Sequence, residues 1–245
     1  MLFMSNTKDD MIARLRKDIL QLQGLADKHE KQEAAFSLGP LDNAFPNGVF
    51  PLSAVHEFIC KDIQSEAASA GFIAGLLSTI TKSNGVILWI SNRRSIYPPA
   101  LNSFGIEPSH IIFIDLKSEQ QVAWCIEEAL KSNCLAAVVG EIAEISFTSS
   151  RRLQLAVEQS KVTGLLIRRN PKNLVTASVS RWAINSISSE LPGNMPGVGF
   201  PRWEVELLKI RNGKPGSWSI EWKAGKFHYP VQQDFMQEEH HAQSA

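Results

Sequence analysis

The sequence predicts an α/β protein: a mostly parallel central sheet flanked by helices, with a C-terminal antiparallel hairpin. Three observations carry this. Val86–Ile90, Ile111–Ile114, Leu135–Val139 and Gly164–Arg168 are short and almost wholly apolar, the pattern of strands buried on both faces. Helix-length segments, Glu119–Asn133 and Ser149–Ser160, lie between them, which is the alternation of a parallel sheet. The last third then changes to apolar/polar alternation over Arg202–Arg211 and Gly216–Trp222, joined by Asn212-Gly-Lys-Pro-Gly216, a hairpin signature.

Taken in order, the chain starts with Asp9–His29, where Met11, Leu15, Ile19, Leu22 and Leu25 recur at intervals of three and four. That spacing predicts an amphipathic helix, docked on its own domain or on a neighbour. His29–Glu33 is a polar linker. Residues 36–51 are rich in Gly and Pro and predict irregular chain along the surface. Leu52–Ile59 reads as a strand, 58–71 as the connection after it, and Phe72–Ile80 as a helix. Ser180–Asn185 is a further strand. The expected division is 1–35 for the helix and linker, 36–231 for the core, and 232–245 for a polar, disordered tail.

Composition excludes several classes. The 245 residues hold 25 basic and 25 acidic side chains, so no global field draws the chain to nucleic acid or an anionic membrane. Cys60, Cys125 and Cys134 are widely spaced, odd in number and without a CxxC partner. They read as buried thiols in a reducing cytosol. No apolar run approaches a membrane span, and the expected location is cytoplasmic. No Ser-His-Asp or Cys-His set can be assembled. Glu238–His241 is solvated charge in the tail, and no metal site or cofactor is expected. His56-Glu57 reads as structural, with the imidazole bonded to the lead-in chain.

Several segments resemble known proteins. Ser37–Asp42 and Phe50–Glu57 resemble the lead-in to the phosphate loop of RecA-type recombinases. More closely, Ala54–Glu57, Glu127–Ser132, Ala136–Glu141, Ser149–Leu155, Pro201–Leu208 and Lys214–Trp218 are similar to the ImuA family, RecA-like accessories of bacterial mutagenic repair. The resemblance runs from about Ser37 to Trp222. It implies a RecA-like core and SOS-induced, error-prone translesion synthesis, with an ImuB-type polymerase-like protein, an error-prone polymerase complex and RecA as partners. The apolar face Met11, Leu15, Ile19, Leu22 is then a docking surface.

Laid on the RecA pattern, the chemistry is missing. A phosphate loop needs glycines, a Lys and a hydroxyl, yet no glycine falls between Gly48 and Gly71. After Cys60, Glu66 takes the place of the Lys and Ala67 that of the hydroxyl; a shift of three residues puts Ser69 at the Lys. Gly140 replaces the magnesium-holding acid, and strand alternation points the next residue, Glu141, to the other face. The general base falls at Asn92 or Arg93. ATP hydrolysis is not expected. Two rivals remain: a single-stranded DNA-binding factor using Arg168, Arg169, Lys172 and Arg181 around a loop, and an atypical ATPase using Lys61 or Lys82. The tryptophans at 182, 203, 218 and 222 predict core packing, any exposed member marking a protein-binding patch.

Overall fold

A computed structural model describes residue 11 and residues 37–81, 85–189 and 197–230. The tail from 232 and the helix face at Leu15, Ile19 and Leu22 lie outside them. Met11 is helical and exposed.

The strands are β1 (Val55–Cys60), β2 (Val86–Ser91), β3 (Ile111–Asp115), β4 (Leu135–Glu141), β5 (Thr163–Arg169), β6 (Ser180–Ser186), β7 (Arg202–Ile210), β8 (Gly216–Lys223) and β9 (Lys226–His228). Three helices join them: α1 (Ile63–Ile80), α2 (Glu119–Lys131) and α3 (Phe147–Ser160). One sheet holds all nine described strands in the order β3-β2-β4-β5-β1-β6-β7-β8-β9. β1 to β6 run parallel; β7, β8 and β9 are added antiparallel. The predicted α/β class and terminal hairpin are therefore both present.

Strand alternation divides the core in two. Phe58, Ala137, Val139, Leu165 and Ile167 face α1, whereas Val55, Val138 and Leu166 face α2 and α3. Trp182, Trp203 and Trp222 are buried on the α1 side and Trp218 packs half-buried against them. Aromatic burial on this scale dominates core energetics, and it accounts for the tryptophan-rich hairpin without a partner.

Residues 36–51 depart from expectation. They hold a 3-10 turn, Gly39–Ala44, and insert Leu38, Leu41, Phe45 and Phe50 into the α1-side core. The Tyr229 hydroxyl donates to the Leu38 carbonyl, tying this segment to the chain's far end. The thiols also differ: Cys60 is buried, Cys125 half-buried and Cys134 exposed.

His56 is structural, as the sequence suggested. Its Nε2–H donates to the Pro51 carbonyl at 2.8 Å, which makes Nδ1 the acceptor of the Ser180 hydroxyl at 2.6 Å. The Trp182 indole N–H in turn donates to Ser180 Oγ at 2.6 Å. Burial pushes the imidazole down from 6.5 to about 4, so the folded protein holds it neutral. Between those values the unfolded chain binds a proton that the folded one refuses. Stability is thus full above pH 6.5 and falls as pH drops toward 4, by about 3 kcal/mol in total. His56→Gln is expected to be less stable than the parent at pH 7, with the gap narrowing toward pH 4 in thermal melts. A gap constant across that range would count against a neutral buried ring.

Candidate functional site

In parallel α/β sheets ligands gather beyond the carboxyl ends of the strands, where the strand order reverses. Here that edge is formed by Cys60, Ser91, Glu141 and Arg169, the last residues of β1, β2, β4 and β5. Only Lys61 and Asp62 separate β1 from α1, so the expected connection over 58–71 is mostly helix. The reason is local. The Asp62 carboxylate accepts from the Ser65 backbone N–H at 2.7 Å, and Ser65 Oγ accepts from the Asp62 N–H at 3.1 Å. This capping box starts the helix, and Ala67, Ala68 and Ala70 propagate it. A helix N-terminus is where a phosphate would bind. Here it is held by the chain's own carboxylate, whose pKa is lowered by the hydrogen bonds from Ser65.

Behind the cap the site is filled by ion pairs. Glu66, nearly buried in the first turn of α1, meets Arg93 at 2.7 Å and Arg169 at 3.3 Å. Arg169 also reaches Glu141 at 3.2 Å and donates to Asn92 Oδ1 at 2.8 Å. Glu141 is fully buried and accepts from the Trp89 indole at 2.7 Å and the Ser95 hydroxyl at 2.9 Å. Burial raises its pKa, opposed by those two hydrogen bonds and Arg169. Asn92 donates to Glu119 Oε1 at 3.0 Å. Two carboxylates and two guanidiniums thus neutralise one another. What remains is a hollow of about 270 Å³ lined by Glu66, Ala67 and Arg93 among others. Its lining holds one carboxylate, Glu66, and two guanidiniums, Arg93 on Glu66 and Arg94 on Asp115 at 2.6 Å, so both cations are already paired.

The structure brings Cys60, Glu66, Ala67 and Arg93 to this edge but leaves Gly140 out. A Cβ on Gly140 would stand 2.3 Å from Ile126 Cδ1, because that position faces α2. Glu141 does lie on the opposite face, as alternation requires, but that is the α1 face on which the site lies. The carboxylate discounted in the sequence is the one that the site uses. Cys60 is sealed in, its thiol donating to Ser69 Oγ at 3.4 Å and pushed up to about 11 by burial. Ser69 is fully buried. Lys61 is exposed, and Lys82 lies outside the described residues.

A second network lies across the sheet. Glu57 and Arg168, both fully buried, are 3.4 Å apart, and Arg181 places Nε and Nη2 each 3.0 Å from Glu57 Oε2. Arg168 also donates to the carbonyls of Asn173 at 2.8 Å and Ala143 at 3.4 Å. Arg181 donates to the Leu174 carbonyl. These bonds tie the β4–α3 and β5–β6 loops together. Of the four cations that suggested a DNA-binding rim, Arg168, Arg169 and Arg181 are turned inward onto carboxylates, and Lys172 is exposed. The sequence gives no sign of Asp62 as a cap, places Asn92 only where a general base is lost, and marks Glu57 only as structural; their partners emerge once the strands are aligned. No cluster of His, Cys, Asp or Glu able to hold a metal is found among the described residues. No helix there is long and apolar enough to cross a membrane.

Fold and site together define a class: a parallel-sheet α/β protein whose sheet edge at the N-terminus of α1 is occupied by its own paired carboxylates and guanidiniums. No family model matches the chain. Two curated relatives do, each called protein ImuA, from two strains of Caulobacter vibrioides, NA1000 / CB15N and ATCC 19089 / CIP 103742 / CB 15. Both are 32 % identical over 200 residues, covering 76 % of this chain and 82 % of the relative. The chain belongs to the ImuA family.

Proposed function

We propose that this protein is a non-catalytic, RecA-like accessory of SOS-induced, error-prone translesion DNA synthesis. It acts as an adaptor that docks an ImuB-type polymerase-like subunit, and with it an error-prone polymerase complex, and that also contacts RecA. Membership of the ImuA family supports the pathway. One observation carries the adaptor role: Arg169 bridges Glu66 and Glu141 at 3.3 and 3.2 Å where a phosphate would need a free cation. A frame with its nucleotide position internally neutralised has its outer surfaces left for binding proteins. The apolar face of residues 9–29, with Met11, Leu15, Ile19 and Leu22, is one such surface.

Single-stranded DNA binding through Arg168, Arg169, Lys172 and Arg181 is the weaker reading. A cation already paired with a buried carboxylate releases no counterion to a phosphate backbone and adds nothing to affinity. The test is affinity capture of the purified chain with an ImuB-type subunit and with RecA, alongside an ATP turnover assay. Capture of the ImuB-type subunit without turnover is the expected result. Failure to bind either protein, or turnover abolished by Lys61→Ala, would overturn the adaptor.

A further inference from the structure

β3 closes one end of the sheet, and among the described residues no strand lies beyond it. Such an edge is a template for another strand unless charge, proline or shortness blunts it. The opposite edge is blunted: β9 has three residues, with Lys226 and His228 exposed. β3 has no such guard. It reads Ile-Ile-Phe-Ile-Asp, and Ile112 is 52 % exposed. Its one charge, Asp115, is paired with Arg94 at 2.6 Å, and the Arg94 guanidinium lies 5.3 Å from the centre of the Phe113 ring. The Leu116 N–H donates to the Ser91 carbonyl of β2 at 2.8 Å. Alternate residues of a parallel strand bond to the same neighbour, so Ile112 and Ile114 also bond to β2. The backbone groups of Ile111, Phe113 and Asp115 point outward. Of these, the Ile111 N–H is taken by the Pro108 carbonyl.

We propose that β3 pairs antiparallel with β3 of a second copy, a two-fold axis at Phe113 joining the two sheets. Three observations select that occupant. The outward-facing residues are symmetric about Phe113, which is what an isologous contact requires. In that register Phe113 lies opposite Phe113, and Ile111 opposite Asp115. Four main-chain hydrogen bonds result, two from the Phe113 N–H groups to the Phe113 carbonyls and two from the Asp115 N–H groups to the Ile111 carbonyls. Second, Ile112 comes opposite Ile114 in the closely spaced, non-hydrogen-bonded pairs of an antiparallel ladder. Both lie on the α2 and α3 face, where Leu88 beside Ile112 is only half-buried, so the pairing covers the exposed Ile112. Third, the two Asp115 carboxylates fall at opposite ends of the ladder, about 14 Å apart along the strands, and like charges do not meet. One five-residue strand pair buries less than the roughly 1,000 Å² of a permanent interface. The dimer is therefore weak and reversible. It goes beyond the adaptor reading and does not depend on it.

The test uses the full chain carrying Cys134→Ser, in which the other thiols, Cys60 and Cys125, are buried and half-buried. Ile112→Cys and Ile114→Cys are made in separate proteins and oxidised mildly, alone and mixed. A disulfide dimer in the mixture, well above that in either protein alone, is expected, since opposed non-hydrogen-bonded positions meet disulfide geometry. No crosslink, or equal crosslinking in the single proteins, would overturn the pairing. In reducing buffer, sedimentation velocity on the unmodified chain is expected to show monomer at micromolar and dimer at submillimolar concentration. Ile112→Lys should weaken that dimer by about tenfold or more by charging the edge, and Ile112→Val should leave it as it is. A chain that stays monomeric throughout would leave the edge to a strand of some other protein and overturn the proposal. So would a dimer untouched by Ile112→Lys, in protein whose melting temperature matches that of the parent.

Discussion

Glu57→Gln is expected to lower the unfolding free energy by about 3–5 kcal/mol, because it leaves a buried guanidinium without its counter-charge. Arg168 is completely enclosed, and its Nε has no hydrogen-bond partner even with Glu57 in place. Burial already lowers its pKa, with Glu57 the largest opposing influence. The same substitution leaves one amide oxygen where the carboxylate had two, so Arg168 and Arg181 can no longer both be paired with it. At about 2–4 °C of melting temperature per kcal/mol in a protein of this size, the loss reads as roughly 10 °C. Glu144 supplies the control. It lies 3.6 Å from Arg168 but its side chain is 49 % exposed, so Glu144→Gln should cost far less than Glu57→Gln. Denaturant unfolding measures both. Equal costs for Glu57→Gln and Glu144→Gln would show that burial is not what makes this pair matter.

Gly140→Asp is expected to destabilise the fold by about 4 kcal/mol or more and to leave ATP turnover absent. On the RecA pattern this substitution restores the metal-holding acid. In this structure the new Cβ would meet Ile126 Cδ1 at 2.3 Å and Cγ1 at 2.7 Å, forcing α2 away from the sheet. The carboxylate would also face the apolar cluster of Val122, Ile126 and Leu166, with no cation among those residues. Gly140→Ala separates the two costs, since it carries only the overpacking, about 1–3 kcal/mol. A stable Gly140→Asp protein that hydrolysed ATP would sink the account of the site.

Much of the architecture was legible before any coordinates. Val86–Ile90 and Leu135–Val139 are apolar at every position, and only a doubly covered strand has use for that. Asn212–Gly216 announced the β7–β8 hairpin. Glycines and a lysine mark a phosphate loop and neither is present, whereas a capping box, Asp62 with Ser65, starts α1 nine residues ahead of Phe72. Residues 36–51 were read as surface chain from their Gly and Pro content, although their spacing allowed Leu38, Leu41 and Phe45 to turn inward. At the site, the absence of a phosphate-binding lysine was plain in the sequence. What stands in its place was not.

The sequence by itself determined the strand and helix order, the hairpin, the missing phosphate chemistry and the segments that resemble the ImuA family, because each is written in neighbouring residues. Only the tertiary structure decided where the charges go. Glu57 and Arg181 are 124 positions apart, and Glu66 and Arg169 are 103; parallel strands bring them within a hydrogen bond. A basic run such as Arg168-Arg169 reads as a surface for phosphate until the sheet sends its two side chains to opposite faces, each onto a buried carboxylate. Coulomb energy depends on distance and dielectric, and both are set by the fold.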